Sequence, residues 1–130
     1  MTWSLDARIP LRLVGDAAGM AAALAEGPPA AILAEAPPPA LPAGAVAMVS
    51  FDPWMPHEAA CNCCGGRSPA AVALDRLFQA RVRGACGWFK RVVALVETPA
   101  AREAVAMALR DDAVTAARFR TEAGSQDPAG

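Results

Sequence analysis

Apolar and polar positions along this chain fall into short blocks, most of them bounded by Pro or Gly. In residues 8–14, Leu11 and Leu13 recur at every second position, which predicts a short strand with one buried face. Gly15-Asp16 opens a turn, and the Asp16 side chain is suited to cap an Ala-rich helix running to Glu26. Gly27-Pro28-Pro29 stops that helix. Residues 30–34 are uniformly apolar and predict a buried strand, a weak one because Ala is a poor strand former. Pro37-Pro38-Pro39 and Pro42 mark an extended connector, and residues 45–50 form a third strand. Residues 51–69 read as loop, punctuated by Pro53, Pro56, Gly65 and Gly66. Ser68-Pro69 then starts a helix, with Ser at the N-cap and Pro at the first helical position. Its apolar positions are Val72, Leu74, Leu77, Phe78 and Val82.

Residues 92–96 are a continuous apolar run of the kind buried on both faces of a parallel sheet. Thr98-Pro99 caps another helix, with Val105, Ala108 and Leu109 inward. Residues 112–120 fit either a helix or a strand, and a polar, flexible tail follows over residues 124–130. The order β-α-β-β-α-β-α, with its last element open, predicts an α/β fold. The expected architecture is a small, mostly parallel sheet with flanking helices, in one domain over residues 1–123.

Composition narrows the functional classes. Of 130 residues, 55% are hydrophobic, but 33 are Ala, so the core is built from few bulky side chains. A formal net charge of -1 argues against a general nucleic-acid binder, which needs a basic face. No stretch approaches the ~18 uninterrupted apolar residues of a membrane span. Asp6 and Asp16 interrupt the apolar region that a signal peptide would keep clean. A cytoplasmic protein is expected, and there four cysteines favour metal or redox chemistry over a disulfide framework.

Three of the four sit together in Cys61-Asn-Cys-Cys64, followed by Gly65-Gly66-Arg67. Three thiols in four residues concentrate soft ligands, and thiolates pair with Zn(II), Cu(I) or a similar thiophilic ion. The glycines let the backbone fold around an ion. His57 is the single imidazole of the chain and a candidate fourth ligand; Asp52 and Glu58 offer oxygen instead. Competing readings are a redox-active cluster and plainly buried cysteines, since CxCC is not the paired CxxC of a closed zinc ribbon. A solvated His57 is the competing reading for that residue.

The CxCC cluster, the opening Ile9-Pro-Leu-Arg-Leu-Val-Gly15 and the Val92-to-Val96 run ending in Glu97-Thr98 together resemble CobW-type metallochaperone GTPases. Cys61, Cys63 and Cys64 match the family's CxCC cysteines, and Arg67 stands where the family often has a basic residue. The resemblance extends over most of residues 8–123 and implies an incomplete P-loop GTPase-like domain. The departures are equally specific. A P-loop needs a Lys for the β/γ-phosphates and a Ser or Thr for Mg(II). After Gly15 the chain reads Asp-Ala-Ala-Gly-Met-Ala-Ala-Ala, with neither; its single lysine is Lys90. Thr98 is followed by Pro99 where the family has Thr-Gly. Asp16 at the helix start repels the anions that a helix N-terminus otherwise attracts. No nucleotide cofactor and no GTP hydrolysis are expected.

Other constellations add little. One His, one Lys and no Tyr leave sparse acid–base equipment, so no catalytic residues are assigned and the chain is expected not to be an enzyme. Glu97 ends a buried strand, where α/β folds place functional groups, and is equally a helix-start carboxylate. Cys86 is expected to pack beside Trp88; Trp3, Trp54 and Trp88 read as packing residues, and shielding of the cysteine loop is the alternative reading for Trp54. Arg76, Arg81, Arg83, Arg91 and Arg102 read as solvated helix faces and flanks. The expected function is metal binding by Cys61, Cys63, Cys64 and His57, as a passive carrier, sensor or accessory protein. The alternative is an interaction protein or pseudo-GTPase subunit, homo- or hetero-oligomeric through an exposed sheet edge, without metal.

Overall fold

The computed structural model describes residues 7–35, 40–53 and 67–122. Nine elements follow in the order β1 (Ile9–Val14), α1 (Ala17–Ala25), β2 (Ala30–Ala34), β3 (Ala45–Ser50), α2 (Pro69–Arg83), β4 (Val92–Leu95), α3 (Pro99–Asp111), α4 (Ala113–Arg118) and β5 (Phe119–Thr121). The five strands form one sheet in the order β3-β2-β4-β1-β5, and every pairing is parallel. The α/β class is as expected, with a sheet parallel throughout. Residues 112–120, open on sequence, resolve into α4 and β5.

Right-handed crossovers dictate which face each helix covers. The step from β1 to β2 runs toward one edge of the sheet; the steps from β3 to β4 and from β4 to β5 run toward the other. Accordingly α1 lies on one face and α2, α3 and α4 on the opposite one. Alternating side chains divide between two cores. Ile9, Leu11, Leu13, Ala31, Leu33, Val92, Ala94 and Val96 face α2 and α3, together with Phe51, Phe89 and Phe119. Val14, Ala30, Ile32, Ala34, Val93 and Leu95 face Met20, Ala23 and Leu24 of α1. Alanine, unfavourable as a strand former, suits β2 here: all five of its residues are buried beneath helices on both faces.

α1, α2 and α3 start where the sequence placed a cap. Asp16 accepts from Gly19 N at 2.6 Å, Ser68 from Ala71 N at 3.2 Å and Thr98 from Ala101 N at 3.2 Å. Pro69 and Pro99 occupy first-turn positions that have no intrahelical donor to lose. α2 ends on Gly84 at φ 70°, a left-handed geometry that glycine adopts without strain. Val82, expected inward on α2, is exposed instead, because the helix's buried face is carried by Ala70, Ala71, Ala73, Leu74 and Leu77.

Several arginines are not solvated flanks. Arg91 reaches back across the chain and caps α1, donating to Ala23 O at 2.7 Å, Leu24 O at 3.3 Å and Pro28 O at 2.8 Å. Arg81 donates to Phe89 O at 2.8 Å and lies 3.8 Å over the ring of Trp88; burial lowers its guanidinium pKa. Trp88 is therefore an exposed platform for a cation rather than a core residue, while Cys86 is half-buried against the α2-side core. Arg102 donates to Val96 O at 3.4 Å. Arg12 bridges β1 to Glu26 at 2.9 Å and Glu122 at 3.2 Å. Arg76 and Arg83 are exposed as expected.

The α1 cap carries a measurable consequence. Arg91→Ala frees three carbonyl acceptors, two of them at the C-terminal end of α1, and is expected to cost about 1–1.5 kcal/mol in chemical denaturation. Hydrogen exchange would rise first in residues 20–28. Unchanged exchange there would show that water replaces the guanidinium without penalty. Among the described residues no helix is long and apolar enough to cross a membrane.

Candidate functional site

In an open parallel sheet, ligands bind outside the carboxyl ends of the strands where neighbouring connections diverge. Here that point lies between β1 and β4, adjacent strands whose following connections lead to opposite edges. Gly15 and Asp16 follow β1; Val96, Glu97 and Thr98 follow β4. Val96 N donates to Val14 O at 2.9 Å, so the two ends stay paired up to this point.

The groups at the edge are already engaged within the chain. Asp16 turns its carboxylate onto α1 through Gly19 N. Glu35, directly after β2, turns its carboxylate onto the start of α3. Oε1 accepts from Glu97 N and from Thr98 N, the latter at 2.7 Å, and Oε2 accepts from Thr98 Oγ1 at 2.8 Å. The same threonine hydroxyl accepts from Ala101 N, so Glu35 and Thr98 together occupy the donors leading into α3. Glu97, singled out on sequence, is exposed and contributes its backbone N–H to this contact. Glu35 escaped sequence reasoning; the signal available was a carboxylate directly following a buried strand at the carboxyl edge.

The segment carrying the cysteine motif leaves this same edge. Phe51 continues β3 by one residue: its N–H donates to Ala34 O at 3.1 Å, and its ring is buried against the α2-side core. The chain is described again from Arg67, which sits in a bidentate ion pair. Its Nε lies 2.9 Å from Asp112 Oδ2 and its Nη2 3.1 Å from Asp112 Oδ1; Nη1 is 3.8 Å from Asp75 Oδ2. Asp112 also caps α4, accepting from Thr115 N at 2.9 Å. Arg118 completes the network, 2.5 Å from Asp75 Oδ1 and 4.1 Å over the Phe78 ring. The Arg67 guanidinium, bonded to both oxygens, holds the Asp112 carboxyl down to about 2, and the carboxylate in turn raises the Arg67 pKa.

Cys61, Cys63, Cys64 and His57, the predicted metal ligands, lie outside the described residues, as do Glu58, Trp3, Trp54 and the expected tail over residues 124–130. Asp52 is described and exposed. Among the described residues there is no grouping of three or more His, Cys, Asp or Glu side chains arranged to hold a metal ion. No family model matches this chain, no curated protein matches it, and no solved structure matches it.

Proposed function

We propose that this protein binds a soft or borderline metal ion, Zn(II), Co(II) or Cu(I) in kind, through the thiolates of Cys61, Cys63 and Cys64. His57, a carboxylate or a partner's side chain completes the site. The observation that carries the reading is the density of thiols, three within four residues, in a segment flanked by two fixed points. Phe51 is locked to β2 on one side and Arg67 to Asp112 on the other. Thiols deprotonate on binding, so uptake releases protons and affinity rises with pH. A reducing compartment, the cytoplasm, keeps them available.

The role proposed is a passive carrier, sensor or accessory without nucleotide hydrolysis. Two features support leaving the nucleotide out of it. The turn after β1 has neither the Lys nor the Ser or Thr that phosphate and Mg(II) require, and the carboxylates of Asp16 and Glu35 point at the starts of α1 and α3. The resemblance to CobW-type domains supports the metal half of the reading and, through its departures, the absence of a GTPase cycle.

Co(II) titration of the reduced, metal-free protein tests it. Saturable thiolate charge-transfer absorption and intense d–d bands are expected, lost or weakened in Cys61→Ser, Cys63→Ser and Cys64→Ser. Cys86→Ser is the internal control, because Cys86 packs against the α2-side core, and it is expected to keep the full spectrum. Absent bands under reducing conditions would overturn the metal reading. One observation favours a second reading, an interaction protein that associates through a sheet edge. β3 is six residues long and uncharged, with a strand on one side only among the described residues. Concentration-dependent association together with no Co(II) bands would favour it.

A further inference from the structure

Among the described residues, β3 is an edge strand with β2 on one side and no strand on the other. Phe51 N–H donates to Ala34 O, so strand alternation turns the backbone groups of Val49 and Ala47 toward β2 as well. The N–H and C=O of Met48 and Ser50 therefore point out of the edge. Edge strands are commonly blunted by a charge, a Pro or a length of only a few residues. β3 has none of these: Ala45-Val-Ala-Met-Val-Ser50 is six residues long, uncharged and without Pro. Its one register shift, opposite Ala30 and Ala31, lies at its start and leaves residues 47–50 regular. The two ends of the strand differ in chemistry. At the amino end Gly87 lies so close to Val46 that a β-carbon on it would stand 3.2 Å from Val46 Cγ1. Next to it Trp88 is 57% exposed, with the Arg81 guanidinium 3.8 Å over its ring, and Lys90 follows, exposed. The carboxyl end instead leads to Asp52, which is exposed and acidic.

We propose that the partner of this edge is a second copy of the chain, paired antiparallel along β3 about a two-fold axis at Met48. This inference rests on the sheet-edge reading above and is independent of the metal. An axis perpendicular to the sheet must set a residue opposite itself, and it must be one whose backbone groups face outward. Met48 meets both conditions: it would exchange two hydrogen bonds with Met48 of the other copy. Ala47 then stands opposite Val49, both on the α2 side of the sheet. No like charges meet along the strand, so a second copy is accepted without repulsion. The same two-fold brings the amino end of each β3, with Trp88, Arg81 and Lys90, beside Ser50 and Asp52 of the other copy. Opposite charges are thereby matched at both ends, and a Trp backed by an Arg is the kind of anchor on which interface energy concentrates. The product is closed, one continuous sheet of ten strands from two sheets of five.

The test is a dilution series of the full chain in reductant and chelator, which removes disulfide and metal bridges. Mass is followed by light scattering and amide exchange by NMR. The mass should rise to twice that of the monomer, and the Met48 and Ser50 amides should slow with concentration while Val49, already bonded to β2, does not. Ser50→Pro removes one outward donor and leaves the bonds to β2 in place, as Pro on an edge strand does; it should abolish the dimer. Trp88→Ala should weaken association by about tenfold. Met48→Lys and Met48→Glu should each be monomeric alone and associate when mixed, because position 48 faces itself. Ser50→Pro keeps the test valid if either charged variant folds poorly. A dimer whose Met48 and Ser50 amides exchange as in the monomer, or a Lys–Glu mixture that stays monomeric, would overturn pairing on β3. A monomer with fast exchange at both amides at every concentration would overturn the second copy and leave the sheet-edge reading to a different protein. A monomer with both amides slow at every concentration would show the edge covered within the chain, and would overturn the sheet-edge reading itself.

Discussion

Replacing Glu35 with Ala is expected to destabilise the protein by about 3 kcal/mol. The carboxylate makes three charge-assisted hydrogen bonds, to the N–H groups of Glu97 and Thr98 and to the Thr98 hydroxyl. Hydrogen bonds to a charged group contribute about 1.5–3 kcal/mol each when their partners are desolvated. Glu97 is exposed, so water recovers part of the sum, which brings the expected total down to about 3 kcal/mol. The contact is also topological: it joins the end of β2 to the start of α3 across the end of β4, and α3 carries Val105 and Ala108 into the core. Glu35→Gln keeps the shape and one acceptor oxygen and should cost about half as much. Urea denaturation measures both, with a lowered midpoint and an unchanged slope as the signature of lost stability. A Glu35→Ala midpoint equal to wild type would show that solvent satisfies the start of α3 unaided.

The strands and helices were legible because each carries its signal locally. β1 alternates, β2 and β4 are continuous apolar runs, and α2 and α3 open with Ser-Pro and Thr-Pro caps. α4 and β5 were not legible, for a physical reason. Six helical residues are too few to show a period, and three strand residues are held mainly by the register of β1 against Phe119, Arg120 and Thr121. Charged side chains were the harder case. Arg91 looks like any strand-flanking cation until α1 is folded, because its acceptors are 63 to 68 residues away. Glu35 is hidden in the same way, its partners lying 62 and 63 residues further along. The thiol cluster suggests metal ligation through residue type alone, whereas the Arg67–Asp112 ion pair depends on the tertiary packing of α2 against α3 and α4. Candidate ligands are thus legible locally in this chain, and its long-range ion pairs and side-chain caps are not.

That distinction gives the second large expectation a pH dependence. The Arg67 bond is the main reason the Asp112 carboxyl titrates at about 2 in the folded state, against an ordinary 3.8. A carboxylate whose pKa falls on folding stabilises the native state wherever it is ionised. The stabilisation is therefore complete above about pH 5 and is lost as pH falls through 4 and then 2. The shift corresponds to about 2–3 kcal/mol at neutral pH, of which about half is gone by pH 3. Asp112→Ala, which removes both the ion pair and the cap of α4, is expected to lose about 3 kcal/mol at pH 7. Asp112→Asn keeps a capping oxygen and should lose about 2 kcal/mol, so the difference between the two variants isolates the cap. Denaturation of wild type and Asp112→Asn from pH 7 to pH 3 provides the check. Their stabilities should converge as the pH falls, because the wild-type carboxylate is progressively neutralised in the unfolded chain and then at the Arg67 contact. A gap between them that stayed constant over that range would mean that Asp112 acts by shape and capping, and that Arg67 is held by something other than its charge.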